Sequence, residues 1–119
     1  MDIVSEKDLL EFFIFIFPDF EIVWNSEKNY SRSDSNYTSH GVCAEFSHFF
    51  QENHTSFSNE QLDTLFNKIE IIITYSNDRN TIDNALLTCF LENIAQTKSG
   101  DVAKQFMGKR SKVFFNYWN

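Results

Sequence analysis

Phenylalanine is the residue that most constrains how this chain can fold. The 119 residues include 14 Phe, against three Gly and one Pro. Four of the Phe fall in the apolar run 12–17, and adjacent pairs stand at 49–50 and 114–115. So much aromatic surface must be buried, and Gly and Pro are too scarce to separate the many short strands of a sandwich. The composition therefore predicts an all-α domain, a compact bundle of about five to seven helices around a Phe-rich core.

The length of the chain fits a single helical domain, which we expect to cover residues 1–119. A hydrophobic content of 42% is ordinary for a globular protein and is enough for one continuous core. The N-terminus lacks the basic start of a secretory signal, and the run 12–17 is too short to cross a bilayer. We therefore expect a cytoplasmic protein with no membrane partner.

The first half of the chain predicts a helix, an ambiguous segment and a long loop. Ser5 and Asp8 have the spacing of an N-cap, so a helix is expected over residues 6–17, ending before the single proline. The next segment, 20–24, is compatible with a helical turn and with a short extended piece. Residues about 25–39 are polar without periodicity, which indicates a loop, and helical spacing resumes after them.

The second half contains the clearest helical patterns. Ser58 and Gln61 form a capping box that opens an amphipathic helix over residues 58–75. A central helix is predicted over residues 81–96, with an apolar stripe wide enough to pack on two sides.

The C-terminal segment predicts two further short helices. The central helix is expected to be broken at Ser99-Gly100, with Gly108 ending the next helix and Ser111 capping the last one. Glu92 is expected to reach backbone amides or basic side chains of this tail. The two short helices are predicted over residues 101–107 and 111–118.

Charge is distributed unevenly along the chain. The formal net charge is −7, and residues 100–119 carry four basic and one acidic side chains. Residues 1–99 carry six basic and sixteen acidic ones, a balance of −10. Nucleic acids and anionic membranes require a positive footprint, so neither is expected as a partner. An acidic face suits a cationic protein, although acidity also serves solubility alone.

Motifs for catalysis or for cofactor binding are missing from the sequence. Cys43 and Cys89 lie in apolar helical contexts and are predicted to be free, buried thiols. His40, Cys43 and His48 provide neither the four ligands of a structural zinc site nor the oriented base and oxyanion site of a cysteine nucleophile. The helical carboxylates lack the Glu-x-x-His pattern of di-iron bundles, and no Gly-rich phosphate loop occurs. We expect no enzyme activity, no metal and no cofactor.

Three segments carry a resemblance to a known family: residues 84–93 (NALLTCFLEN), residues 107–112 (MGKRSK) and the aromatic pair Tyr117-Trp118. Over roughly residues 58–118 the chain resembles small bacterial domains similar to the immunity proteins of contact-dependent inhibition and polymorphic toxin systems. The resemblance implies a protein that binds and neutralises the C-terminal domain of a cognate toxin. A nuclease with a basic active cleft would fit the acidic charge.

A partner-binding surface is predicted on the polar side of the 58–75 helix and in the preceding loop. Its carboxylates would steer a cationic partner, and its tyrosines would supply rigid anchor area. A cytoplasmic adaptor or regulatory module is the alternative function, and a small hydrolase is a third class. The oligomeric state stays open. The predicted contact residues are Tyr30, Asp34, Tyr37, Glu60, Asp63 and Glu70.

Overall fold

The computed structural model describes residues 2–26, 37–75 and 81–119, and the regular structure in these ranges is helical without a strand. This confirms the all-α prediction, and the number of helices in the described ranges, seven, lies within the expected five to seven. A 3-10 turn, His54–Ser56, follows the third helix. The helices are α1 Glu6–Ile16, α2 Asp19–Ser26, α3 Ser39–Asn53, α4 Asn59–Tyr75, α5 over residues 81–94, α6 Lys98–Lys104 and α7 Lys109–Trp118.

Side-chain caps fix the beginnings of several helices. The Ser5 hydroxyl accepts the backbone N–H of Asp8 at 3.1 Å, as the sequence predicts. Thr38 caps α3 by accepting the N–H of Gly41 at 3.0 Å. The helix therefore begins at Ser39, before the first of its buried apolar residues, Val42. The ambiguous segment 20–24 is helical and belongs to α2.

The core is a lattice of phenylalanine rings contributed by almost every helix. Phe13 of α1 stacks on Phe46 of α3, with ring centroids 3.9 Å apart and planes 6° from parallel. Phe90 of α5 contacts Phe46, Phe50 and Phe66, with centroids 5.2–5.9 Å away. All five side chains are fully buried. Aromatic contacts at these separations add to the hydrophobic stabilisation of the bundle.

The central helix, α5, changes its pitch in the middle. Its ends, Thr81–Ala85 and Glu92–Ile94, are α-helical, whereas Leu86–Leu91 forms a π-helical turn. The wider turn brings both Phe90 and Leu91 into the core.

The central helix ends two residues before its predicted end at 96, and the break does not fall at Ser99-Gly100. The chain leaves α5 after Ile94 and turns at Gln96, whose φ of 64° is left-handed. The Gln96 backbone N–H donates to Asn119 Oδ1 at 2.8 Å, which holds the turn against the C-terminal helix. Ser99 and Gly100 instead lie in the first turn of α6, where a Cβ at Gly100 would overlap the carbonyl oxygen of Ile94.

Helix α6 also ends earlier than predicted, at Lys104. Gly108 does not end it in a left-handed conformation, because its φ is −77° and it is the N-cap position of α7. Within the three described ranges, no helix is long and apolar enough to span a membrane.

Candidate protein-binding surface

Helix α4 presents the predicted carboxylates Glu60 and Asp63 to solvent. The two residues stand three positions apart, so both carboxylates lie on the same side of the helix. Both side chains are exposed, whereas Leu62, Leu65 and Phe66 of the same helix are buried. The amphipathic pattern of this helix therefore orients the two acids as the sequence predicts.

The start of α4 is fixed to the end of α1. Ser58 and Gln61 form the predicted capping box: the Ser58 N–H donates to Gln61 Oε1 at 2.9 Å, and the Gln61 N–H donates to Ser58 Oγ at 3.1 Å. Gln61 Nε2 also donates to the carbonyl oxygen of Ile16 at 2.9 Å. Because α4 begins where α1 ends, the two helices run antiparallel and side by side.

A groove of about 390 Å³ runs between α1 and α4. Phe12, which is buried, lies at its base, and Phe15 of α1 and Ile71 of α4 stand uncovered beside it. Phe15 is 75% exposed and Ile71 is 52% exposed. The remaining lining residues are Thr64, Asn67 and Lys68.

Glu70, predicted to contact a partner, binds another helix of its own chain in this structure. Its Oε2 accepts the backbone N–H of Arg110 at 2.9 Å, and its Oε1 accepts the N–H and the hydroxyl of Ser111 at 2.9 and 2.8 Å. The carboxylate thus caps the N-terminus of α7, which has no side-chain cap from its own N-cap residue, Gly108. A Cβ at Gly108 would overlap the Glu70 side chain.

This contact corrects two further expectations about the C-terminal tail. Ser111 does not cap α7 but donates to the residue that does, and the acidic partner of the tail is Glu70 of α4 rather than Glu92 of α5. Partial burial alone would raise the pKa of Glu70. The hydrogen bonds from Arg110, Ser111 and Thr74 outweigh that effect and hold the pKa below its ordinary value.

Of the three contact residues predicted in the loop, Tyr37 is the one within the described ranges. It is half-buried, and its ring meets that of Trp24 edge-on, with centroids 5.3 Å apart. Burial raises the pKa of Tyr37, and the negative charges of Glu6 and Glu11 raise it further. Tyr37 is thus already packed on the scaffold. Tyr30, Asp34 and most of the predicted loop lie outside the described residues.

The histidines of α3, His40 and His48, and its single thiol, Cys43, have separate environments. His40 Nε2 is 2.8 Å from Asn84 Oδ1, and His48 Nε2 lies 3.5 Å from Glu52 Oε2 at the surface. Cys43 is buried, and desolvation raises the pKa of its thiol. Among the residues that the structure describes, no three His, Cys, Asp or Glu side chains converge as metal ligands.

Phe15 and Ile71 are residues of the groove that the sequence analysis missed. The residues of α1 that face the core, Leu9, Phe12, Phe13 and Ile16, follow a helical spacing from which Phe15 departs. The sequence signal for the exposure of Phe15 was a large apolar residue outside the buried stripe of the helix. The continuous apolar run 12–17 made this departure from the stripe hard to recognise.

Helix α7 presents a surface of the opposite charge. Lys109, Arg110 and Lys112 are exposed, and Val113 and Tyr117 are uncovered one turn apart beside them. Helix α4 packs against both α1, which forms the groove with it, and α7.

Comparisons with known protein families, with curated proteins and with solved structures give no match for this chain. What this surface can bind therefore follows from the chemistry of its side chains. Exposed carboxylates beside uncovered apolar side chains, supported by a rigid aromatic core, are suited to binding another protein.

Proposed function

We propose that this protein is a cytoplasmic immunity protein, which binds the cationic C-terminal domain of a bacterial toxin and covers its active cleft. The observation that carries the proposal is the solvent-facing side of α4, on which Glu60 and Asp63 are exposed and Ile71 is uncovered two to three turns further along the helix. Carboxylates steer a basic partner and form charge-assisted hydrogen bonds with Lys or Arg. Apolar side chains beside them supply the area that holds the complex together.

The rest of the chain supports this role. The net charge of −7 gives an attraction towards basic domains that acts before contact. The face is built on a regular helix fixed at its start by the Gln61 bond to Ile16. A face of this kind can bind without first being ordered, which favours rapid and tight inhibition. Glu70 is left out of the proposed surface because its carboxylate is engaged with α7.

The test is protection of cells that express the toxin domain encoded beside this gene. Glu60→Lys with Asp63→Lys should retain the fold and lose protection, because both charges would repel a basic cleft. A matched double reversal elsewhere, Glu52→Lys with Asp101→Lys, changes the net charge equally on α3 and α6 and should protect like the parent.

Two outcomes would contradict the proposal at different levels. Full protection by the Glu60/Asp63 reversal would exclude this face as the toxin-binding surface, but it would not contradict the immunity role. Failure of the parent protein to bind or protect against the neighbouring toxin would remove the role itself and favour the adaptor or regulatory module, which would use the same exposed face for another protein.

A further inference from the structure

Six of the eight large apolar side chains exposed on the described surface fall into two groups, and Val4 and Ile22 belong to neither. The first lies at the α1–α4 groove and contains Phe15, Ile71 and Tyr75, the last being one turn beyond Ile71 on the same side of α4. The second lies on α7 and contains the residues Val113, Tyr117 and Trp118. Uncovered apolar groups that cluster in this way mark interaction surfaces, whereas single ones are ordinary.

The two groups have opposite charge around them. Glu11 is adjacent to Phe12 at the base of the groove, and Glu60 and Asp63 lie one turn before Thr64 and Asn67 in its wall. Lys68 is the charged residue in the groove lining, and these three exposed carboxylates lie around the groove rather than in its lining. On α7 the exposed charges are those of Lys109, Arg110 and Lys112.

The dimensions of the two groups also agree. The groove lining on α4 extends from Thr64 to Ile71, which is about 10 Å at 1.5 Å per residue. The exposed stripe on α7 extends from Lys109 to Tyr117, about 12 Å by the same rise. An amphipathic helix recognised by a groove uses an apolar stripe of this length, with residues three to four apart as anchors.

We propose that two copies of this protein associate, with α7 of each copy lying in the α1–α4 groove of the other. Val113 and Tyr117 would cover Phe15 and Ile71, and the lysines and arginine of α7 would face the carboxylates of the groove. In a two-fold symmetric dimer the same contact would form twice, once with each groove.

The proposed dimer uses the face that we assign to the toxin. Glu60 and Asp63 would contact α7 in the dimer and the basic cleft in the toxin complex, so the two states exclude each other. Self-association does not depend on the immunity role, and it is tested on the purified protein alone.

The experiment is sedimentation equilibrium of the full chain as a function of concentration and salt. The parent protein should dimerise, and the dissociation constant should rise at least about tenfold between low salt and conditions that screen exposed charges. Phe15→Ser and Val113→Ser should each weaken the dimer by about tenfold or more, since each removes a central apolar contact. Ile22→Ser, at an exposed apolar position of α2 outside both groups, should leave the dimer unchanged.

A charge exchange gives the decisive comparison. Glu60→Lys with Asp63→Lys makes the groove basic, and Lys109→Glu with Arg110→Glu makes α7 acidic, so each variant alone should be monomeric. An equimolar mixture of the two variants should associate, because each groove then meets an α7 of opposite charge. The Arg110 change retains the backbone N–H that Glu70 accepts.

A parent protein that stays monomeric in low salt throughout the accessible concentration range would overturn the proposal. So would a dimer that is indifferent to Phe15→Ser and Val113→Ser, or a mixture of the charge-exchanged variants that stays monomeric while circular dichroism shows both to be folded.

Discussion

The carboxylate of Glu70 holds Ser111 by two hydrogen bonds, from its backbone N–H at 2.9 Å and from its hydroxyl at 2.8 Å. The two residues are 41 positions apart in sequence. A side chain in the fourth turn of α4 thus caps α7, and the C-terminal helix depends on a tertiary contact for its start.

Removing the charge of Glu70 should destabilise the protein in a pH-dependent way. The folded-state pKa of Glu70 lies below the ordinary value of 4.5, so its stabilisation is present above that pH and is lost as the pH falls through the folded value. Glu70→Gln should lower the free energy of unfolding at neutral pH by about 1 kcal/mol, the scale of a lost cap. The difference from the parent should shrink below about pH 4.5. Urea unfolding at several pH values measures this, with Glu60→Gln as the control on the exposed side of α4.

Gly108 and Glu70 should be energetically coupled. A methyl group at Gly108 would overlap the Glu70 side chain, so Gly108→Ala should displace the cap and cost about 1–3 kcal/mol. In a Glu70→Ala background the same change should cost much less, because the obstructing side chain is gone. A double-mutant cycle of unfolding free energies measures the coupling, and additive effects would contradict it.

Phe90 should be among the most sensitive core positions. Its ring is fully buried and contacts rings from α3 and α4, so Phe90→Ala should cost about 3–5 kcal/mol. Phe15→Ala, which removes the same atoms from an exposed position, should change stability by less than about 0.5 kcal/mol. Thermal and chemical unfolding of the two variants test this pair. Equal losses in the free energy of unfolding would contradict the central position of Phe90 in the core.

The two thiols should differ in reactivity. Cys43 is buried on α3, and burial raises the pKa of its thiol, which disfavours the reactive thiolate. Cys89 is half-buried on the π-helical turn and should react first with a maleimide or a disulfide reagent. Mass spectrometry of partly labelled native protein locates the label. Labelling of Cys43 before Cys89 without denaturant would contradict the buried position of Cys43.

The sequence predicts those parts of the fold that depend on neighbours along the chain. The Ser58–Gln61 capping box and the Ser5 cap are local patterns, and both form as expected. Burial of Leu62, Leu65 and Phe66 follows from a single helical period.

Other features are set by contacts between segments that are distant in sequence. The role of Glu70 depends on where α7 packs, and an acid at that position in an isolated helix resembles any solvated one. The chain turns at Gln96 rather than at Ser99-Gly100, because Gln96 adopts a left-handed conformation and is held by Asn119. The groove beside Phe15 arises from the pairing of α1 with α4, which no single helix shows.

The π-helical turn at Leu86–Leu91 has a consequence for how the length of this chain can vary. A π turn is equivalent to an α-helix that has accommodated one extra residue while both of its ends keep their orientation. Deleting a single residue within this turn would leave Ile82 and Ile94 facing the same interior. A deletion in the regular α4 would rotate everything after it by about 100°. Related sequences that are one residue shorter or longer within a helix are therefore expected to carry the deletion or insertion at this turn.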